Sequence, residues 1–255
     1  MKLNNSKKVL VGFTGLIALV LLITSGPNRE DTYQEFATES YVGLENGVQR
    51  LSDGTFMVSS LVNFPNASAQ MYKWWFTDYL QTTEQYQRWE PSAHTWMDWQ
   101  HKKAGEIVGA HHLVHELLGG QMIKLRIQFV EPVQVLGFDP SNQNTQAICA
   151  VVGELESSMN IAQMCHVARN KPWGVEVRSR FWMGVVADRE AGTIKSAALN
   201  LAANNPISRR LAVSESDALA LQRHCIEEMS TLSSYLPEIY AQAHASLENA
   251  SAQTP

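Results

Sequence analysis

The stretch EIVGAHHLVHELLGGQMIKLRIQFV, residues 106–130, decides the fold. Side chains of a strand alternate between faces, so Glu106–Leu118 places Val108, Ala110, His112, Val114 and Glu116 together on one side. Lys124–Val130 alternates as cleanly, with Leu125, Ile127 and Phe129 set against Lys124, Arg126 and Gln128. Gly119-Gly120 between the two reads as a hairpin turn. Ala147–Leu155 and Gly174–Ala187 are further β-rich runs. Successive strands joined by short turns predict an antiparallel sheet.

Helical patterns flank these strands. Ser214–Tyr235 opens with Ser-Glu-Ser-Asp, an N-cap with an acidic first turn, and repeats Leu221, Cys225, Met229 and Leu232 at helical spacing. Pro237 is expected to kink or end this helix, with Glu238–Leu247 as a second piece. Upstream, Ala67–Tyr86 is rich in aromatics. Asn66 or Ser68 caps the helix predicted there, which carries Met71, Trp75, Tyr79 and Leu80 on one stripe. Pro91 breaks the chain just before His94, which is read as lying in a loop among tryptophans. The expected fold is α+β: a curved antiparallel sheet gripping a long C-terminal helix, with a cavity between them.

The chain has 255 residues, and its formal charge of −5 with a pI near 5.9 argues against a nucleic-acid partner, which needs a basic stripe. Lys2, Lys7 and Lys8 precede an uncharged apolar run, Val9–Thr24, the layout of a secretory signal or a single membrane anchor. Either way the rest of the chain is expected to be exported, to the periplasm or the extracellular space. The expected organisation is a leader or anchor at 1–26, a lead-in and helical part at 27–85, the main domain at 86–248 and a frayed tail at 249–255. Cys149, Cys165 and Cys225 are an odd number for an exported protein, and their apolar neighbours suit small buried hydrophobes rather than bridges.

No G-x-S-x-G elbow, phosphate-binding loop or H-E-x-x-H helix occurs in the sequence. Metal or acid–base chemistry remains. His224 and Glu228 lie four apart on the C-terminal helix, so both side chains reach one ion. Glu116 puts a carboxylate on an otherwise apolar strand face, which requires a partner that a metal would supply. His112 shares that face, while His111 and His115 point the other way. His101 and His244 sit in polar surroundings and read as surface residues.

The runs YQRWEPSAHTWMDW, GAHHLVHELLGG, FVEP and HCIEEMSTLSSYLPEIY together resemble the 2,4-diacetylphloroglucinol hydrolase family, over roughly Tyr72 to Tyr240. The resemblance implies a helix-grip fold of the Bet v 1 type with a small, mainly helical N-terminal part. It also implies one Zn²⁺ per chain, held by His94, Glu116, His224 and Glu228. His166 falls on a further active-site histidine and Tyr86 on a pocket tyrosine. Two positions depart: Met97 stands where the family has an asparagine, and Phe181 where it has a second tyrosine.

The activity so implied is hydrolysis of a carbon–carbon bond between an acyl group and an activated ring, a retro-Claisen cleavage of a small aromatic or ketonic substrate. His166 is expected as general acid/base, because an imidazole titrates in the right range, and Tyr86 as a holder of a substrate hydroxyl. The alternative reading is a non-catalytic carrier of a hydrophobic or aromatic ligand.

Overall fold

The computed structural model describes residues 26–41 and 43–252. The expected leader up to residue 25 and the last three residues of the expected tail lie outside that description. No helix among the described residues is long and apolar enough to cross a membrane.

Eight strands form one sheet: β1 (Gly47–Arg50), β2 (Phe56–Pro65), β3 (His94–Gln100), β4 (His111–Leu118), β5 (Gln121–Val130), β6 (Thr145–Glu154), β7 (Met159–Lys171) and β8 (Gly174–Asp188). Their spatial order is β1-β2-β8-β7-β6-β5-β4-β3, with every neighbour antiparallel. The β4–β5 turn is the expected hairpin. Gly119 and Gly120 take φ of +58° and +81°, a left-handed pair that only glycine adopts without strain. β4 starts at His111 rather than Glu106. Gly109, at φ +86°, turns the chain there and leaves Val108 exposed in the preceding loop.

Helix α1 (Arg29–Gln34) precedes the sheet, and the aromatic helix expected over 67–86 is two pieces. Ser68 caps α2 (Ala69–Trp74), its hydroxyl accepting from the Met71 N–H. The helix then widens into a π-turn, Trp75–Tyr79, closed by a bond from the Leu80 N–H to the Trp75 carbonyl. Thr82 and Gln85 form a capping box that begins α3 (Thr83–Trp89). A new N-terminus inside the run is what divides it. Three short helices follow elsewhere: α4 (Pro132–Leu136) after β5, and the pair α5 (Ala197–Asn204) and α6 (Pro206–Ala212) after β8.

The last element, α7 (Glu215–Ala252), is one helix with Pro237 inside it, not two pieces. Ala218, Cys225, Met229, Leu232, Leu236 and Ile239 line its buried stripe against the concave face of the sheet. Each large side chain so buried contributes about 1.5–3 kcal/mol. Leu232, Leu236 and Ile239 around the proline therefore outweigh the roughly 3 kcal/mol that an interior proline costs.

A second, smaller core covers the convex face, where Phe36, Val135 and Leu136 pack on Cys149, Cys165 and Trp182. Cys149 and Cys165, partners in the β6–β7 register, are joined by a disulfide, against the expectation of free buried thiols; Cys225 alone stays free. Alternation along β7 and β8 also sends Arg169, Arg178, Arg180 and Glu176 to this face. The guanidinium groups of Arg169 and Arg178 donate to the carbonyls of Phe36, Thr38 and Ser40, clamping the segment ahead of β1. Glu35 and Glu45 pair with Arg180, and Glu45 and Glu176 with Arg178, so two buried cations face three carboxylates.

Candidate metal centre and cavity

His94 is the first residue of β3 and stands directly opposite Glu116 of β4, so the two side chains are cross-strand partners. A bulge before Trp96 ends that register after one pair. α7 lays His224 and Glu228, one turn apart, over the same spot. The His94 Nε2 atom lies 3.4 Å from His224 Nε2, 3.6 Å from Glu228 Oε2 and 3.9 Å from Glu116 Oε2. His224 Nε2 is 3.8 Å from each carboxylate. Donor atoms of His94, His224 and Glu228 lie within 4.8 Å of one another, and all four side chains are buried.

The surroundings orient these groups. The Nδ1 of His94 lies 2.9 Å from the Tyr86 carbonyl, which can only accept, so Nδ1 carries the proton and Nε2 turns its lone pair to the cluster. The Tyr86 ring stacks flat on His94, with centroids 3.7 Å apart. Its hydroxyl donates to Glu116 Oε2 at 2.7 Å. Burial, then the neighbouring His224, lowers His94 to about 2 and keeps it neutral. Burial, with Glu116 and Glu90 adding repulsion, raises Glu228 well above the usual carboxylate range.

Two imidazoles face two buried carboxyl groups here, and the upward push on Glu228 marks a site short of positive charge. A divalent cation is the group that balances it. Nitrogen and oxygen ligands at about 2.0–2.1 Å from a tetrahedral ion lie roughly 3.3–3.4 Å apart. The observed separations of 3.4–3.9 Å need only a small contraction to reach that.

The cluster borders a cavity of about 500 Å³ between sheet and helix. His166 lies on another part of its wall. Ser179, its partner across β7 and β8, holds Nδ1 at 2.7 Å, and Phe76 stacks on the ring. Burial lowers His166 to about 3, so it stays neutral where its residue type alone suggests titration near neutrality. His112 shares Glu116's face as expected and lies flat against Trp99, with centroids 4.4 Å apart. His111 and His115 are half-buried on the other face, and His101 is exposed. His244 is half-buried and stacks on Tyr240. Met97 is packed in the core beside the cavity, and Phe181 lines the cavity against His166.

Residue-type reasoning missed Ser179, though a signal existed. It is the one polar side chain in the inward series Val177, Ser179, Phe181 and Met183. Trp89 and Phe76, also on the cavity wall, come from a segment whose helix was predicted without its break.

A helix-grip α+β domain with a buried two-histidine, two-carboxylate cluster at the edge of an apolar cavity is the class that fold and site define. Over residues 28–241 the chain matches the family described as DAPG hydrolase PhiG domain. It belongs to that family. A 2,4-diacetylphloroglucinol hydrolase of a Pseudomonas species is 28% identical over 233 residues, covering 85% of this chain and 77% of that protein. Its counterpart in Pseudomonas protegens is also 28% identical, over 85% of this chain and 74% of that protein. Among solved structures, that of Ara h 8.0201 aligns with a TM-score of 0.42 at 10% identity, covering 72% of this chain and 98% of that one.

Proposed function

We propose that this protein is a zinc-dependent hydrolase that cleaves the carbon–carbon bond between an acyl group and an activated ring, on an acylphloroglucinol-like substrate. One observation carries the reading. His94, Glu116, His224 and Glu228 converge at a cavity whose wall also holds a buried, oriented histidine. Family membership, and relatives named as hydrolases of 2,4-diacetylphloroglucinol, support the reaction class.

The balance of the reaction is simple. Water adds hydroxide to the acyl carbon and a proton to the ring carbon, giving a carboxylic acid and the deacylated ring. A zinc ion held by His94, Glu116, His224 and Glu228 would supply a Lewis acid for the acyl carbonyl and lower the pKa of a bound water. Tyr86 keeps two of those side chains in place, His94 through its carbonyl and Glu116 through its hydroxyl. His166, neutral and fixed by Ser179 at Nδ1, has Nε2 left to hold or pass the proton bound for the ring carbon. Phe76 and Phe181 flank that imidazole and keep water from it.

The basic and apolar N-terminal segment and the Cys149–Cys165 disulfide both support export to an oxidising compartment. The deciding experiment is the metal content of the purified protein beside a His224→Ala, Glu228→Ala variant, with acylphloroglucinol cleavage assayed on both. About one zinc per chain and product formation, both lost in the variant, is the expected result. No metal and no product in the unmodified protein would end the hydrolase reading.

A further inference from the structure

The cavity is divided by chemistry, and the division says what kind of acyl group it takes. Its inner part is aromatic: Phe76, Tyr86, Trp89, Phe129 and Phe181 surround the space in front of His166. Its outer part is aliphatic. There Leu118, Ile123 and Leu125 from the β4–β5 hairpin line the wall with Leu155 from the β6–β7 turn and Ile161 of β7. Both turns lie at the same end of the sheet, since Leu118 pairs with Gln121 and Leu125 with Glu154. The N-terminal half of α7 closes over that end, with the Ala220 Cβ 3.3 Å from where a side chain on Gly119 would begin.

Glu116 lies two residues inward of Leu118, so the metal cluster sits between the two parts. Around Ile161, which is 43% exposed, the lining opens to solvent beside Lys124, Glu154 and Glu156. That end is the mouth. An acetylated trihydroxybenzene, about a dozen heavy atoms at roughly 20 Å³ each, leaves about half the 500 Å³ unfilled.

We infer that the substrate is an acylated ring whose acyl group is a medium-length alkyl chain. The ring lies inward before His166, the bond to be cut lies at the cluster, and the chain runs outward to the mouth. The inference rests on the hydrolase reading for which end of the molecule lies where. The walls themselves supply the apolar arm. Hydrogen bonding agrees, because none of the five residues named for the arm carries a polar side chain that an alkyl chain would leave unpaired.

The test is a series of phloroglucinol ketones, acetyl, butanoyl, hexanoyl and octanoyl, measured for cleavage by kcat/KM and for affinity by calorimetry. Each methylene buried in the arm is expected to raise kcat/KM about four-fold until the chain reaches the mouth. Leu155→Glu, which places a charge in the arm at a half-buried turn position, is expected to flatten that dependence without lowering the melting temperature. Cleavage of the acetyl ketone with no gain, or a loss, for longer chains would overturn the inference and leave the hydrolase reading standing. No cleavage of any member, with affinity still climbing by about four-fold per methylene, would retain the arm and remove the hydrolase reading. Flat affinity together with no cleavage would remove both.

Discussion

Replacing Tyr86 by Phe separates two roles for this residue. The substitution keeps the ring stacked on His94 and leaves the Tyr86 carbonyl that holds His94 Nδ1. It removes one group, the hydroxyl that donates to Glu116 Oε2 at 2.7 Å. A hydrogen bond to a buried carboxylate contributes about 1.5–3 kcal/mol, and loss of such a supporting contact weakens a metal site roughly 10- to 100-fold. In a domain of this size about 1 kcal/mol moves the melting temperature by roughly 2–4 °C. Tyr86→Phe should therefore bind zinc 10- to 100-fold more weakly in a chelator competition, and its zinc-loaded form should melt about 3–12 °C lower. The rival role, holding a substrate hydroxyl, predicts unchanged zinc affinity with a raised KM. Zinc affinity within two-fold of the unmodified protein would refute the positioning argument.

Three further outcomes are expected. Arg178→Met leaves the fully buried Glu176 without its ion-pair partner, and breaking a buried ion pair costs about 3–5 kcal/mol, so melting should fall by roughly 6–20 °C while zinc content is unchanged. Because burial lowers His166 from 6.5 to about 3, the unfolded chain binds the extra proton between those values, and stability rises with pH across that window. Urea unfolding at pH 4–6 should show His166→Leu losing about 1.4 kcal/mol per pH unit of that slope, and an unchanged slope would contradict the burial. Opening the Cys149–Cys165 bridge, which spans 16 residues, by paired alanine substitution should cost about 3 kcal/mol; thiol titration of the denatured unmodified protein should find one free thiol.

Much of the architecture was legible from two periodicities. The alternation of Lys124–Val130 and the Gly119-Gly120 turn gave the hairpin, and the apolar stripe of the C-terminal helix gave the element that the sheet grips. Alternation did not reveal β1, β2, β3 or β7; β3 begins at His94, where a loop was expected, and β7 is covered on both faces. Met159–Lys171 carries Cys165 and Val167 to one core and Met164 and His166 to the other, so no polar face marks its period. The π-turn and the unbroken helix through Pro237 were hidden because tertiary burial overrode local preference. At the site, the i, i+4 pair His224 and Glu228 was readable from spacing. That His94 faces Glu116, 22 residues later, is a matter of strand register, which spacing does not give. The low affinity of His166 for protons also comes from packing and not from residue type.

The cluster is assembled from widely separated parts of the chain: His94 and Glu116 come from a strand pair, His224 and Glu228 from the closing helix more than a hundred residues later. As the chain leaves the ribosome the strand pair emerges first and offers an ion only half a set of donors. The full set forms when α7 docks, which is also the step that seals the concave core. Capture of the proposed zinc would thus be tied to completion of the fold. If the protein is exported unfolded, it crosses the membrane without its metal, and the metal supply that governs its activity is that of the compartment it enters.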